Sequence, residues 1–435
     1  MTDYRIPAGA LLPKMRHMNA SVIAPERRDA RTIGLVGLAH GSSHFFHLLL
    51  PPLFPWLIAD FGYSYAQLGV MVSLFFIVSG VGQMLSGFIV DKVGAQRVMW
   101  AALASFVVAG LIASAAQNYS MLLAASFFAG LGNAPFHPVD FTILNKRVTP
   151  KNIGHAFSVH GISGNIGWAS APVFMAGITT WSGSWRLACL CGAIFAAVVL
   201  LIMVLNRRWL DDRAFDAQEQ VQAKSTSSTT ASGAGTFDYL KLPAVWLCFS
   251  FFFWSTVGLS AIQNFSSSAL NQIYELPLST TALVVTGFML CGAVGMIGGG
   301  FLAARVQRLE KTIAIFLLLA AACLALVATG WLPGMVALVV ASIAGFGHGL
   351  AGPSRDMLIK RATPAGNTGR VYGTVYSGLD TGFAVAAPMF GWMMDHQMPN
   401  AVFFGAAIAL AISVLSAGAV GVSVHKKRVA SQVTA

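Results

Sequence analysis

The sequence predicts an all-α membrane protein in which twelve transmembrane helices form two pseudo-symmetric six-helix bundles. Three observations predict this fold: an apolar composition, a one-sided distribution of basic residues, and a repeat between the two halves of the chain. Of the 435 residues, 56% are hydrophobic and 10% are charged, and the mean hydropathy is +0.69. Soluble domains carry about 25% charged residues, so lipid must solvate much of this chain.

Uncharged apolar runs, such as Leu187–Leu205, are long enough to cross the hydrocarbon core as helices. We predict twelve spans, at residues 33–58, 66–90, 96–117, 119–144, 153–178, 185–205, 243–269, 280–304, 312–331, 334–358, 369–393 and 400–424. Residues 211–236 have the Ser, Thr, Ala and Gly content of a linker. The predicted organisation is a disordered N-terminal tail, an N-terminal bundle, a linker, a C-terminal bundle and a C-terminal tail, at residues 1–32, 33–205, 206–242, 243–424 and 425–435.

The basic residues predict the orientation. With these spans, every Lys and Arg except Arg186 falls on one side of the membrane. The positive-inside rule makes this side cytoplasmic, so we expect a multi-pass protein of a bacterial inner membrane with both termini in the cytoplasm. The net charge of +11 therefore follows the topology and does not indicate a nucleic-acid partner. The lipid bilayer is the expected partner, and we expect the chain to function as a monomer.

The two halves resemble each other. Asn145–Pro150 is echoed by Lys360–Pro364, and each segment precedes a glycine-rich span that ends in Ala-Pro, at Pro172 and at Pro388. Such internal repetition is typical of transporter folds built from pseudo-symmetric bundles, in which the substrate site lies between the repeats.

The connection between the second and third spans contains a patterned charged loop, formed by Gly87, Asp91, Lys92, Gly94 and Arg97. It resembles the signature loop of the major facilitator superfamily. Gly87 permits close helix approach, and Gly94 permits a tight turn. Asp91 is able to accept hydrogen bonds from a neighbouring helix N-terminus and to pair with Arg97. The resemblance implies a gate on the cytoplasmic side, to which we add Arg370 at the start of the eleventh span.

Further motifs in the first half narrow the resemblance. His40 followed by Pro51, then Phe136-His137-Pro138 and the segment 158–167, is similar to the fosmidomycin-resistance branch of exporters in that superfamily. Two positions depart from the expected pattern. His44 stands where relatives often carry an acid, and Ser126 stands where proton-coupled drug antiporters carry an arginine.

Ionisable residues at membrane depth are expensive and indicate function. Asp380 lies in the middle of the eleventh span, and the repeat pairs it with Asn165 in the fifth. His40, His44 and His47 fall on one face of the first helix, and imidazole titrates near physiological pH. We therefore predict proton coupling through Asp380, His44 and His40, with structural hydrogen bonding as the alternative.

The remaining polar residues of the spans are predicted to line a central cavity, because the resemblance implies that helices one, four, seven and ten surround it. Besides Asn165, the predicted cavity residues are His47, His137, His348, Trp254, Gln263 and Asn264. Asp140 in helix four and His160 in helix five complete the polar set of the spans. The implied arrangement would bring His44, His47, His137 and His348 towards one another. The five cysteines lie in apolar spans without metal-ligand or redox spacing, and the helix-one histidines have no acidic or cysteine partner in their own span. No metal site or cofactor is predicted.

These observations predict a secondary active transporter, not an enzyme, that moves a small molecule in exchange for protons by alternating access. Efflux is the expected direction, and no P-loop that would bind ATP occurs in the sequence. Uptake of a small organic anion is the alternative within the class. The alternative from another class of protein is a histidine-box membrane oxidoreductase, which would use the HisxxxHis of helix one. Such an enzyme needs several boxes at the membrane surface. A receptor without transport would need no loop like 87–97.

Overall fold

The computed structural model describes residues 25–213, 238–362 and 368–433, and side chains within 27–213, 240–358 and 374–422. Twelve helical spans account for this part of the chain, and no strand occurs in it. They are α1 Pro25–His47, α2 Tyr65–Val93, α3 Ala95–Ser114, α4 Tyr119–Asn133 with Phe136–Arg147, α5 Ile153–Ser182, α6 Trp185–Leu205, α7 Pro243–Tyr274, α8 Leu283–Arg305, α9 Leu309–Ala328, α10 Gly334–Ala362, α11 Thr368–Asp395 and α12 Asn400–Val433.

The predicted all-α membrane fold is confirmed. Within the described ranges, nine helices are long and apolar enough to cross a membrane by length and composition. The three spans outside that set are α4, α5 and α11. The two parts of α4 have 15 and 12 residues and are each too short for that set, whereas α5 and α11 carry His160, Asn165 and Asp380 among their polar residues.

Two predicted spans are interrupted. The first, 33–58, ends as α1 at His47 and resumes after a turn as the 3-10 helix Pro51–Leu53 and the short helix Phe54–Phe61. The fourth, 119–144, breaks between Asn133 and Phe136, at Pro135. Proline lacks a backbone N–H and clashes with the preceding turn, so it favours both breaks. The breaks leave His47 and Asn133 at helix ends, where their side chains meet.

The bundle has two chemically distinct ends. We call the end with the α2–α3 connection the basic face, and the end with Arg186 the opposite face. At the opposite face Arg186 pairs with Asp60 at 3.3 Å and donates to the carbonyl of Ala116 at 3.0 Å. Its guanidinium also lies 4.2 Å from the ring centroid of Trp185. Local partners therefore stabilise Arg186 on this face.

At the basic face, segments that were predicted to be tail and linker pack on the N-terminal bundle. α1 begins at Pro25, inside the predicted tail, and Asp29 on it accepts hydrogen bonds from Asn152 at 2.9 Å and from the Thr149 hydroxyl. After α6, Asp212 accepts from the backbone N–H groups of Ala95 and Gln96 at 3.0 and 3.3 Å. It therefore caps the N-terminus of α3.

The two halves meet along α2 with α11 and along α5 with α8. The α2–α11 contact begins at the opposite face, where Asp395 accepts from the backbone N–H of Tyr65 at 2.7 Å and of Ala66 at 2.9 Å. A Cβ at Gly69 would lie 2.5 Å from the carbonyl oxygen of Ala387, so only glycine permits this approach. Further along, Phe76 and Phe383 stack with ring centroids 4.2 Å apart.

The contact between the halves is described as far as Gly80 on α2. A Cβ at Gly80 would lie 3.1 Å from the Cβ of Asp380. In the second pair, Thr286 of α8 donates to the carbonyl of Ala169 at 2.7 Å. The two halves are therefore in close contact at the opposite face in this state.

Candidate functional site

The three histidines of α1 lie on one stripe that faces α4 and α5 inside the N-terminal bundle. His40 and His47 are buried and His44 is half-buried. The ring centroids of His40 and His44 are 4.5 Å apart, and those of His44 and His47 are 4.9 Å apart. The predicted orientation of this stripe towards the bundle interior agrees with these contacts.

His47 has a complete set of hydrogen-bond partners. The indole N–H of Trp168 donates to its Nδ1 at 3.2 Å, so Nε2 carries the proton and donates to Oδ1 of Asn133 at 2.8 Å. Asn133 also accepts from Ser43 at 2.5 Å and donates to Ser79 at 2.7 Å. A second proton on His47 would face the indole N–H, so this network holds His47 neutral.

A buried carboxylate that the sequence reasoning did not select lies beside His40. Oδ2 of Asp140, on α4, is 3.0 Å from Nδ1 of His40 and 3.1 Å from Nε2 of His160 on α5. The imidazole rings of His40 and His160 stack with centroids 3.5 Å apart. Asp140 is 0% exposed, His40 2% and His160 7%. The three residues form one acid–imidazole group inside the N-terminal half.

His137 connects this group to the space between the halves. It lies one helical turn before Asp140, and its Nδ1 is 3.0 Å from Oε1 of Gln83 on α2. Its ring centroid is 5.6 Å from that of His40 and 6.4 Å from that of Tyr376, which belongs to α11 in the other half.

Asp380 and Asn165 occupy pseudo-equivalent positions at the interface between the halves. The carboxylate of Asp380 lies 3.4 Å from a Cβ placed on Gly80 of α2. The amide oxygen of Asn165 lies 3.7 Å from a Cβ placed on Gly292 of α8. Each side chain therefore contacts a glycine of the other half of the protein, as the repeat in the sequence implies. Asp380 is half-buried, and no residue of the described ranges forms a hydrogen bond or ion pair with it.

The predicted cavity residues of the second half do not join the histidines. Asn264 is buried and donates to the carbonyl of Ser260 in its own helix at 2.8 Å. Gln263 is buried and its amide contacts the sulfur of Met289 at 4.0 Å. The ring of His348 lies 5.9 Å from that of Phe288, and Trp254 is half-buried on α7. We expected His348 to approach His44, His47 and His137, but its described ring contact is with α8.

The predicted gate residues are separate in this state. Asp91, Lys92 and Arg97 are exposed, and Asp91 has no hydrogen bond or ion pair to the described side chains. Gly94 turns the chain at φ 91°, and the carbonyl of Lys92 accepts from Arg213 at 2.5 Å. Asp212 occupies the α3 N-terminus. The side chain of Arg370 lies outside the described residues.

The residues of this site that the sequence reasoning did not name are Asn133 and Trp168, whereas Asp140 and His160 were named among the polar residues of the spans without an assigned role. Asp140 lies three residues after His137, and His160 lies within the segment 158–167 that carried the resemblance. Because residues three apart share a helix face, the pair His137 and Asp140 was a usable signal. No sequence signal indicated Asn133 or Trp168. Asn133 contacts His47 because of the break in α4, and this break is a tertiary feature.

Comparisons with known proteins agree with this architecture. The chain is 26% identical to the uncharacterised MFS-type transporter YfnC of Bacillus subtilis, over 63% of this chain and 65% of that protein. It is 22% identical to the fosmidomycin resistance protein of Escherichia coli, over 63% and 66%. It is 28% identical to a probable 4-methylmuconolactone transporter of Cupriavidus pinatubonensis, over 40% and 41%. The chain thus matches less than two thirds of the length of each of these relatives.

Solved structures share the fold. An inward-facing, unoccupied bacterial homologue of the human lysosomal transporter Spinster superposes with a TM-score of 0.70 at 14% identity, over 92% of this chain and 96% of that one. The nucleoside transporter NupG superposes with a TM-score of 0.70 at 16% identity, over 89% and 98%. The sequence model of the Major Facilitator Superfamily matches residues 36–380 and 262–434. Fold, signature loop and family match together show that the chain belongs to the Major Facilitator Superfamily.

Proposed function

We propose that this chain is a proton-coupled secondary transporter that exports a small molecule by alternating access. The two halves rock about the substrate, and a proton that enters from outside drives the cycle. The basic face is then cytoplasmic, as the positive-inside rule predicts, and the contacts at the opposite face close the outer side in the state described above.

Alternating access needs interfaces that separate without unfolding either half. The contacts on the opposite face meet this requirement, because between α2 and α11 they include backbone packing at Gly69, one aromatic stack, the two hydrogen bonds to Asp395 and one hydrogen bond from Ser73 to the carbonyl of Ala384. Few polar bonds must break when this side opens. Gly80 and Asp380 form the last described α2–α11 contact towards the basic face.

The observation that carries proton coupling is the position of Asp380. Its carboxylate belongs to α11 and packs on Gly80 of the other half, without a hydrogen-bond partner among the described residues. Rocking of the halves must change its contact with α2 and its access to water. A carboxylate pays a large desolvation cost when it is charged away from water. Its affinity for a proton therefore changes between the two states, which is the requirement for coupling.

Uptake of a small organic anion is the second candidate, and Arg355 favours it. This guanidinium lies 4.9 Å from the ring centroid of Phe252 and bonds Asp356 through Nε at 2.8 Å. Phe252 in turn lies 4.9 Å from Tyr376. A cation held over aromatic rings suits a planar carboxylate. The relative named as a probable 4-methylmuconolactone transporter fits such a substrate.

The test uses purified protein in proteoliposomes that contain a pH-sensitive dye, with fosmidomycin as the first probe and a panel of aromatic and aliphatic carboxylates as the second. We expect one probe to move against its gradient when a pH gradient is imposed, with opposite movement of protons. Asp380→Asn should abolish this accumulation and retain exchange of the probe. Glu275→Gln, at an exposed acid on the opposite face, is the matched control.

Full concentrative transport by Asp380→Asn, with the proton flux of the original protein, would contradict the assigned role of Asp380. Co-movement of protons and a carboxylate in the same direction would replace export by the second candidate.

A further inference from the structure

The acid–imidazole group of the N-terminal half has the composition of a metal site. His40, Asp140 and His160 each offer a ligand atom, and these atoms lie within 4.8 Å of one another. His40, His44 and His137 form a second such group that shares His40. Imidazole nitrogen and carboxylate oxygen are the ligands that Zn²⁺ and similar transition-metal ions accept. In the sequence the α1 histidines lacked an acidic partner in their own span, and the fold supplies one from α4.

Unsatisfied polar atoms indicate that a cation completes this group. Both imidazoles approach the same oxygen of Asp140, while the other oxygen, Oδ1, is buried without a hydrogen-bond partner in the described chain. Nδ1 of His44 is also buried without a hydrogen bond in the described chain. A buried carboxylate without sufficient partners is costly. A proton on one imidazole satisfies Oδ2 only, whereas a dication beside the carboxylate would also balance its negative charge.

Metal binding requires the ligand atoms to separate slightly and the imidazole rings to turn. In a tetrahedral site with bonds of about 2.1 Å, neighbouring ligand atoms lie about 3.4 Å apart, and Oδ2 of Asp140 is 3.0 and 3.1 Å from the two imidazole nitrogens. The rings of His40 and His160 stack with centroids 3.5 Å apart and an interplanar angle of 24°. Because the lone pair of an imidazole nitrogen lies in the ring plane, at least one ring must rotate out of this stack for both nitrogens to face one ion.

An entry path and a preorganising residue are also present. His44 and His137 are half-buried, whereas the three proposed ligands are buried, so these two histidines lie on the accessible side of the group. A Cβ at Gly164 would lie 2.9 Å from Nδ1 of His44 and 3.2 Å from Nε2 of His40. Glycine at this position therefore leaves room for both rings. His47 is excluded because Trp168 and Asn133 occupy its two nitrogens.

We infer that His40, Asp140 and His160 bind one transition-metal dication of the Zn²⁺ class, and that His44 and His137 guide the ion to it. All three ligands belong to one half of the protein, on α1, α4 and α5. Metal binding therefore ties these helices together without bridging the two halves. It should raise the thermal stability of the protein and leave the rocking motion free.

The experiment uses full-length protein purified with an affinity tag that contains no histidine, freed of metal with a chelator. Titration with Co²⁺ should give saturable visible absorption at one equivalent, and Zn²⁺ should displace it. Zn²⁺ should raise the melting temperature. X-ray absorption of the zinc form should show nitrogen and oxygen ligands, with the outer-shell scattering of about two imidazoles.

Variants identify the ligands. His40→Gln, Asp140→Asn and His160→Gln should each weaken Zn²⁺ binding by about tenfold or more, since even residues that only orient metal ligands contribute 10- to 100-fold. His155→Gln, at an exposed position of α5, should bind Zn²⁺ with unchanged affinity. Absence of stoichiometric binding by the original protein at micromolar Zn²⁺ would overturn the inference, and this result does not depend on the folding of any variant. Equal weakening by His155→Gln would also overturn it.

The measurement is independent of transport. If the original protein binds Zn²⁺ and the Asp380→Asn variant still transports normally, the coupling proposal alone is refuted. If the original protein shows proton-coupled transport but binds no Zn²⁺, the metal site alone is refuted.

Discussion

Gly69→Ala tests whether the state closed at the opposite face depends on close backbone packing there. A Cβ at this position would lie 2.5 Å from the carbonyl oxygen of Ala387 and 2.7 Å from Cα of Pro388. Both neighbours are backbone atoms, so neither is able to rotate away. Ordinary contact begins at 3.4 Å, and α2 and α11 must therefore separate locally by about 0.9 Å.

This separation destabilises only one state of the transport cycle, the state in which the opposite face is closed. Overpacking of a close contact costs about 1–3 kcal/mol, and the penalty disappears when the opposite face opens and the helices part. The equilibrium should shift towards the state open at the opposite face by about 5- to 150-fold. Because the change adds one methyl group at a helix contact, each half should keep its own fold.

The assay is a distance measurement between spin labels at Gln117 in the first half and Met335 in the second, both exposed at the opposite face, in a cysteine-free background. Gly69→Ala should increase the population of long distances. Gly177→Ala is the matched control, because nothing lies within 4 Å of a Cβ at that helical glycine. An unchanged distance distribution in Gly69→Ala, or an equal change in Gly177→Ala, would refute the reasoning.

Two further predictions concern the basic face and the topology. Asp212→Ala removes the acceptor for two backbone N–H groups of α3 and should cost about 1 kcal/mol of stability, seen as a lower melting temperature in detergent. Asp91→Asn, at an exposed acid, should leave the melting temperature unchanged and slow transport; an equal loss of stability in both variants would contradict this assignment. Cysteines introduced at Thr226 and Ala435 should react with impermeant reagents only from the cytoplasm, and labelling of Thr226 from outside would overturn the proposed orientation.

The helical architecture could be predicted from the sequence because it depends on composition and period. The one-sided Lys and Arg pattern gave the same count of twelve spans as the structure. The breaks in α1 and α4 were not predicted, although Pro51 and Pro135 are visible in the sequence. Proline is common in transmembrane helices, so its presence does not by itself separate a kink from a break.

Less of the candidate site than of the helical architecture could be predicted from the sequence. The α1 stripe was predicted because helical spacing alone places His40, His44 and His47 on one face. Asp140 was named among the polar residues of the spans but received no role, because its predicted span put it near a helix end, whereas the structure puts it beside His40 at 3.0 Å. Such contacts depend on the rotation of α4 relative to α1, which no local pattern specifies. The equivalence of Asp380 and Asn165 could be predicted from the repeat, because residues related by the repeat occupy equivalent positions in the two halves.

The division between interface and bundle interior determines which of these polar groups is suited to coupling in the proposed cycle. Groups that belong to one half move together when the halves rock, so the distances among His40, Asp140 and His160 stay the same and their proton affinity has no cause to change. Asp380 contacts a glycine of the other half, and its surroundings must change in every cycle. A larger cluster of titratable groups is therefore a poorer candidate than one carboxylate at the moving contact. The cluster is better suited to hold an ion through the whole cycle, which is why we assign the proton to Asp380 and the metal to the histidines.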